Sequence, residues 1–336
     1  MAAPGRPGYV EHAGEVSFPG PVRCTGAVLY TFWLQGDHGR LQALCERFFG
    51  APSGGAATYL PLSSLVILTI GHIPEIRSGT WDTGTISESQ VTIWVPVAAV
   101  RRQGVLAFAE RVALFPYHMV VDNVFSLVSG REPYGLLKSF GWVETPTAIV
   151  APPPERLTVD VLNLRRYGGD NTPRRWPLLS LARDAAAPGD TGRLLESPSE
   201  LLAELRALLK AQPGGPWLLP GLELPLSLLE DAVTRSLPLV TLKQFRTPGG
   251  LGADYQAVVE APVSLERLRA AQLLHPYDLT LAEYLASFPL AEDLGLADQR
   301  ALLSFQIELD FTIGDGRTIW RAGERRRGCL GQLLGG

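Results

Sequence analysis

Tyr117-His118-Met119-Val120-Val121-Asp122-Asn123, followed by Gly130-Arg131-Glu132-Pro133-Tyr134-Gly135-Leu136-Leu137-Lys138-Ser139-Phe140-Gly141, decides how this chain is read. Tyr117 to Leu127 reads as a strand and Tyr134 to Trp142 as an extended stretch. In an extended register Lys138 shares a face with Tyr134, Leu136 and Phe140, where an ammonium finds few polar neighbours. Burial disfavours the charged form of an amine, by up to roughly 3–5 pKa units when complete. A neutral amine is what attack on a ketone and Schiff-base formation require. The competing reading is a lysine whose stem covers apolar surface while its ammonium reaches water.

Composition singles out the same residue. Of 30 basic residues in 336, only Lys138, Lys210 and Lys243 are lysines and 27 are arginines. Lys210 falls on the polar side of an amphipathic helix and Lys243 beside Gln244 in a strand, both ordinary places. The net charge of −4 supplies no global positive field, so neither nucleic acid nor an anionic membrane surface is an expected partner. With 46% hydrophobic and 19% charged residues the chain is of the cored, globular kind. Cys24, Cys45 and Cys329 are widely spaced, odd in number and form no CxxC, which predicts free thiols and a cytoplasmic location. Neither a secretory signal nor a spanning helix is expected.

Outward from the opening stretch, strands dominate. Val28 to Leu34 reads as a buried strand, followed by a helix capped by Asp37 with Leu41, Leu44, Cys45, Phe48 and Phe49 on one face. Ser64 to Ile70 and Gln90 to Val97 are further strands. In the latter Val91, Ile93, Val95 and Val97 form a core face, while Glu88, Gln90, Thr92 and Trp94 face either solvent or a polar pocket. Val105 to Leu114 and Ser264 to Leu274 read as helices, and Leu157 to Val161, Leu239 to Phe245, Tyr255 to Ala261 and Phe305 to Ile313 as strands. Gly314-Asp315-Gly316 reads as a hairpin turn into Arg317 to Trp320. Residues 167–219 read as an insertion with an amphipathic helix over about 198–211, capped by Ser197-Pro198-Ser199-Glu200, and 321–336 as a C-terminal tail. The expectation is one α+β domain over 1–336, a large, mainly antiparallel, barrel-like sheet enclosing a pocket, with peripheral helices.

The five histidines show no zinc-ligand spacing, and GxGxxG, P-loop and GxSxG motifs are missing, so no metal and no cofactor is expected. The pattern His118-Met119, Asp122-Asn123, Gly130-Arg131-Glu132, Gly135 and Lys138, with Glu88 and Val95-Pro96-Val97 upstream, resembles the acetoacetate decarboxylase family. The layout is similar from about Gly20 to the strand at Phe305 to Ile313. The resemblance implies that Lys138 is the Schiff-base lysine and Glu88 an active-site acid/base. It implies a keto acid as the small-molecule partner and a homo-oligomeric assembly. Ser139 stands where the family has a second lysine, Leu137 where it has a proline, and, aligned without gaps, Ala27 and Thr69 where it has an arginine and an acid.

Three functions are therefore expected to compete. The first is a Schiff-base-forming lyase acting on a keto acid by decarboxylation or aldol-dehydration, with Lys138 and Glu88 as catalytic residues. Tyr134, Arg131, Glu132, Gln244 and Tyr255 are its candidate substrate-binding residues, Arg131 and Glu132 also holding the turn. The second is a non-catalytic member of the same fold serving as a binding or scaffold protein. The third is a binder of a hydrophobic small molecule in a barrel interior.

Overall fold

A computed structural model describes residues 8–10, 17–82, 84–103, 106–150, 152–184, 186, 193–195, 199–200, 203–204, 207, 236–282 and 285–324. Its body is one 15-stranded sheet. The long antiparallel run consists of β1 (Val22–Gln35), β3 (Leu65–Ser78), β4 (Ile86–Gln103) and β5 (Leu106–Val121), with β2 (Thr58–Pro61) paired to β4. On the far side of β1 lie β14 (Leu303–Ile313) and then β11 (Val263–Leu273). On the far side of β5 come β6 (Lys138–Glu144), β7 (Arg156–Asn163), β8 (Arg174–Arg183), β12 (Tyr277–Leu281) and β13 (Gln299–Arg300). A branch of β9 (Leu239–Arg246), β10 (Ala253–Ala261) and β15 (Arg317–Arg321) joins through β5.

Among the described residues only β5–β6 and β5–β9 are parallel pairs. A parallel pair needs a crossover, and between β5 and β6 that crossover is a helix, α3 (Val124–Tyr134). Two other helical pieces, α1 (His38–Cys45) and α2 (Ala51–Ser53), pack beside β2, and α4 (Leu290–Leu294) packs on α1. Asp37 caps α1 as expected, its carboxylate accepting from Arg40 N at 2.8 Å. The valine face of β4 joins the main core with Tyr30, Phe32, Leu68 and Phe115. Among the described residues no helix is long and apolar enough to cross a membrane.

Several local expectations give way to pairing. Leu106 to Leu114, read as helical, belongs to β5, which is zipped to β4 along its whole length. Tertiary pairing overrides the helical preference of its Ala, Leu and Glu. Ser264 to Leu274 is β11 rather than a helix. Register shifts at Leu265/Arg267 and Leu268/Ala270 break its two-residue alternation and give the sequence a helical look. The strand expected over Tyr117 to Leu127 stops at Val121, and the extended stretch from Tyr134 begins only at Lys138, because α3 lies between them. Gly314 to Gly316 does not close a hairpin: β14 pairs with β1 and β11, whereas β15 pairs with β10. Within 167–219, Arg174–Arg183 is no insertion, since β8 is held between β7 and β12. Of the helix expected over 198–211, residues 199, 200, 203, 204 and 207 are helical and the rest lie outside the described residues, as do 325–336 of the tail.

Candidate active site

Lys138 opens β6, and its position is set by three neighbours. Its backbone pairs with Met119 of β5. Its carbonyl accepts from Arg131 Nη1 at 3.0 Å, which ties the end of α3 to the start of the strand. Its stem lies against Gly130, where a Cβ would fall 2.7 Å from Lys138 Cε, so only glycine leaves the lysine its channel.

α3 is built inside out. Val124 and Phe125 are exposed, while Ser126, Ser129, Gly130 and Tyr134 are buried, so the helix turns small and polar groups towards the lysine. Asn123 caps it by accepting from Ser126 N at 3.2 Å, and Gly135, at φ +75°, closes it in the left-handed conformation. Asp122 and Asn123 also lock this junction to β4: Ser89 N donates to Asp122 Oδ1 at 2.8 Å and Asn123 Nδ2 to Ser87 O at 2.8 Å. These bonds flank Glu88 on both sides.

The lysine and the glutamate thereby meet. Lys138 Nζ donates to Ser126 Oγ at 2.5 Å and lies 3.6 Å from Glu88 Oε2, with Lys138 6% and Glu88 4% exposed. Glu88 Oε2 is buried and accepts no hydrogen bond. Both side chains line a cavity of ≈ 340 Å³ whose other walls come from β1, β3, β5, β9, β11 and β14. Glu88, Gln90 and Trp94 look into it from the second face of β4, so that face lines a pocket, and a largely apolar one. Cys24 of β1 also lines it. Burial, reinforced by the Glu88 charge, pushes its thiol well above the ordinary range, so it stays protonated.

Tyr134 lines the cavity with its hydroxyl buried and without a hydrogen-bond partner, and burial pushes that phenol up. The structure does not bring the other candidates there. Arg131 serves the Lys138 carbonyl, and Glu132 accepts from Tyr9 OH at 2.8 Å beside a separate recess. Gln244 is exposed and accepts from Gln256 Nε2 at 3.0 Å, because it lies near the outer end of β9. Tyr255 stacks with Phe245 and Arg321. None of these four is among the described residues that line the cavity. Sequence reasoning missed Ser126 and Cys24. An Asn123 cap followed by Gly135 was a readable helix signal for the first, and nothing local marked the second.

The replaced family positions have local roles. Ser139 faces away from the cavity and shares a 3.2 Å hydrogen bond with His118 Nε2. Thr69 accepts from Trp94 Nε1 at 2.9 Å, and Ala27 is fully buried.

Solved structures share this architecture. Acetoacetate decarboxylase from Legionella pneumophila subsp. pneumophila str. Philadelphia 1 superposes with a TM-score of 0.59 at 15% identity, over 95% of this chain and 93% of that one. The fold is acetoacetate decarboxylase-like. The enduracididine biosynthesis enzyme MppR, solved with pyruvate, matches at 0.52 and 14% identity over 90% and 91% of the two chains. An acetoacetate decarboxylase-like enzyme from Sphingomonas wittichii RW1 matches at 0.52 and 15% over 89% and 92%. No protein-family model and no curated protein matches the sequence.

Proposed function

We propose that the protein is a Schiff-base-forming carbon–carbon lyase that works through Lys138. The observation that carries this reading is the buried Lys138–Glu88 pair at 3.6 Å, opening on a cavity. The reaction needs the amine, and Glu88, 3.6 Å away, is the group placed to take the proton that the ammonium gives up. The amine adds to a substrate carbonyl carbon, and Glu88 returns the proton as the carbinolamine oxygen leaves as water. The iminium then takes up the electron pair of a bond broken at the adjacent carbon, whether to carboxylate, carbon or hydrogen, giving an enamine. Protonation of that carbon and hydrolysis release product and restore the amine. Ser126 holds Nζ in line, and the Tyr134 ring forms part of the wall that the substrate meets.

The keto acid expected from the sequence is one substrate class for this chemistry, and decarboxylation and aldol-dehydration are its two outcomes. Incubation with pyruvate, acetoacetate or a simple ketone, reduction with borohydride and mass spectrometry of the Lys138 peptide test it. An adduct on Lys138 is expected; its absence with every carbonyl compound in a folded sample would sink the reading. The second reading, a binding or scaffold protein, draws on Ser139, Ala27 and Thr69 having taken structural roles. It expects no exchange of a ketone's α-protons in deuterated water, which proton NMR reads directly. A homo-oligomeric, cytoplasmic protein completes the proposal, and light scattering of the purified chain tests its assembly.

A further inference from the structure

The cavity around Lys138 is built for more than a short keto acid. Its ≈ 340 Å³ falls in the range of pockets that hold drug-sized ligands, about 300–1,000 Å³. Among the described residues its polar lining includes Glu88, whose Oε2 is buried beside Lys138 without a hydrogen-bond partner, and the Gln90 amide. Along β4 the lining continues from Glu88 through Gln90 to Trp94, six residues on, or about 20 Å at the rise of an antiparallel strand. The walls there are Leu29, Ile67, Trp94, Leu114 and Leu309. Thr69 and Trp94 satisfy each other, so this part presents hydrocarbon.

Charge points the same way. Among the described residues that line the cavity, Lys138 is the only cation, and Glu88 already balances it. Once the amine is bound covalently, a substrate carboxylate would meet no second cation among the described lining residues and would face the Glu88 carboxylate. Burying an unpaired charge is costly.

We infer that the site takes an uncharged carbonyl compound with an extended apolar arm, a ketone or 1,3-diketone whose carbonyl meets Lys138 while the arm lies along β4 towards Trp94. This rests on the Schiff-base reading above. It removes carbon–carboxylate cleavage and leaves the carbon–hydrogen bond beside the iminium as the one broken in such a ligand. With a 1,3-diketone the amine adds to one carbonyl carbon and that C–O bond breaks, releasing one water. The resulting iminium loses a proton from the central methylene to Glu88, giving a conjugated enaminone with no net oxidation or reduction.

The test titrates the full chain with pentane-2,4-dione and undecane-2,4-dione, following enaminone absorbance, and with acetoacetate and pyruvate, following borohydride-trapped Lys138 peptide. Each buried methylene is worth about fourfold in affinity. Half-saturation by the longer diketone is therefore expected at a concentration at least tenfold lower, with both acids weaker than either diketone. Equal half-saturation for the two diketones, or tighter capture of either acid, overturns the inference and leaves the Schiff-base reading standing. No adduct with any of the four overturns the Schiff-base reading. Native mass spectrometry of the two diketones then decides the inference: retained preference for the longer one supports it, and equal or no binding overturns it.

Discussion

Two carboxylates are buried among the described residues, Glu88 on β4 and Glu260 on β10, and each meets a cation. Glu260 is saturated. Arg111 reaches it with Nε at 3.0 and 3.1 Å and Nη2 at 2.5 Å, Tyr59 OH donates at 2.6 Å, and Arg317 stands 3.7 Å away. Glu88 has a 3.6 Å contact with Lys138 and an oxygen that accepts no hydrogen bond. A buried charge that is fully bonded holds strands together, whereas one left short of partners beside a cavity is costly to keep and free to move a proton. Arginine fits the first role because it stays protonated. Lysine fits the second because it can give its proton up.

The sharpest way to break that contrast is to exchange the cations' chemistry. Lys138→Arg should remove every borohydride-trapped adduct and all α-proton exchange, while far-ultraviolet circular dichroism reports an intact sheet. An adduct that survives would move the nucleophile elsewhere. Next come the two carboxylates in parallel. Glu88→Gln should slow α-proton exchange by roughly 10²–10⁴-fold, the usual worth of a positioned acid/base. Glu260→Gln should leave exchange within about threefold yet lower the urea-unfolding free energy by about 3 kcal/mol, the cost of breaking a buried pair. Equal effects of the two variants on both readouts would erase the distinction.

The contrast was half legible in the sequence. Lys138 stood out because lysine is scarce and its neighbours are apolar, and the alternation around Gln90 to Val97 separated a core face from a second face, fit for solvent or a pocket, that carries Glu88. The long strands β1, β4 and β14 were readable for the same reason, since each is apolar on one face over many residues. α3 carried end signals in Asn123 and Gly135 but no face pattern, because its exposed positions carry Val124 and Phe125 and its buried ones Ser126, Ser129 and Gly130, the reverse of an amphipathic helix on a core. Glu260 was hidden too. Its partners Tyr59 and Arg111 are 201 and 149 residues away, and no local pattern announces such a junction.

A third, partly buried group overlaps any acid titration of these two and gives the next prediction. Burial, with some help from the Arg131 charge, holds the His118 imidazole at about 4, below its ordinary 6.5. The unfolded chain therefore binds more protons than the folded one between those values, so stability is complete above pH 6.5 and falls as pH drops towards 4. At about 1.4 kcal/mol per unit the loss amounts to roughly 3 kcal/mol. Urea titrations at neutral pH and at about pH 4 should show that loss in the parent chain and a much smaller one in His118→Gln. The Glu88 and Glu260 variants are best compared under acid in that background, and an unchanged slope in His118→Gln would assign the loss to the carboxylates.

The finest test separates site from scaffold within five residues of chain. A Cβ at Gly130 would fall 2.7 Å from Lys138 Cε and 2.8 Å from Cδ, the flexible part of a side chain that can shift. A Cβ at Gly135 would fall 2.6 Å from the Lys243 Cα, at a φ of +75°, where neither partner can yield cheaply. Gly130→Ala should hence keep stability within about 1 kcal/mol, since alanine favours the helix by a similar amount. It should slow adduct formation about tenfold, by taking Nζ out of line with Ser126 and Glu88, a misplacement worth about 1.4 kcal/mol of activation barrier. Gly135→Ala should do the opposite, costing more than about 1 kcal/mol of stability while the adduct still forms in the folded fraction. If Gly130→Ala forms the adduct at the parent rate, α3 does not set the lysine, and the close approach of Gly130 to its stem is packing alone.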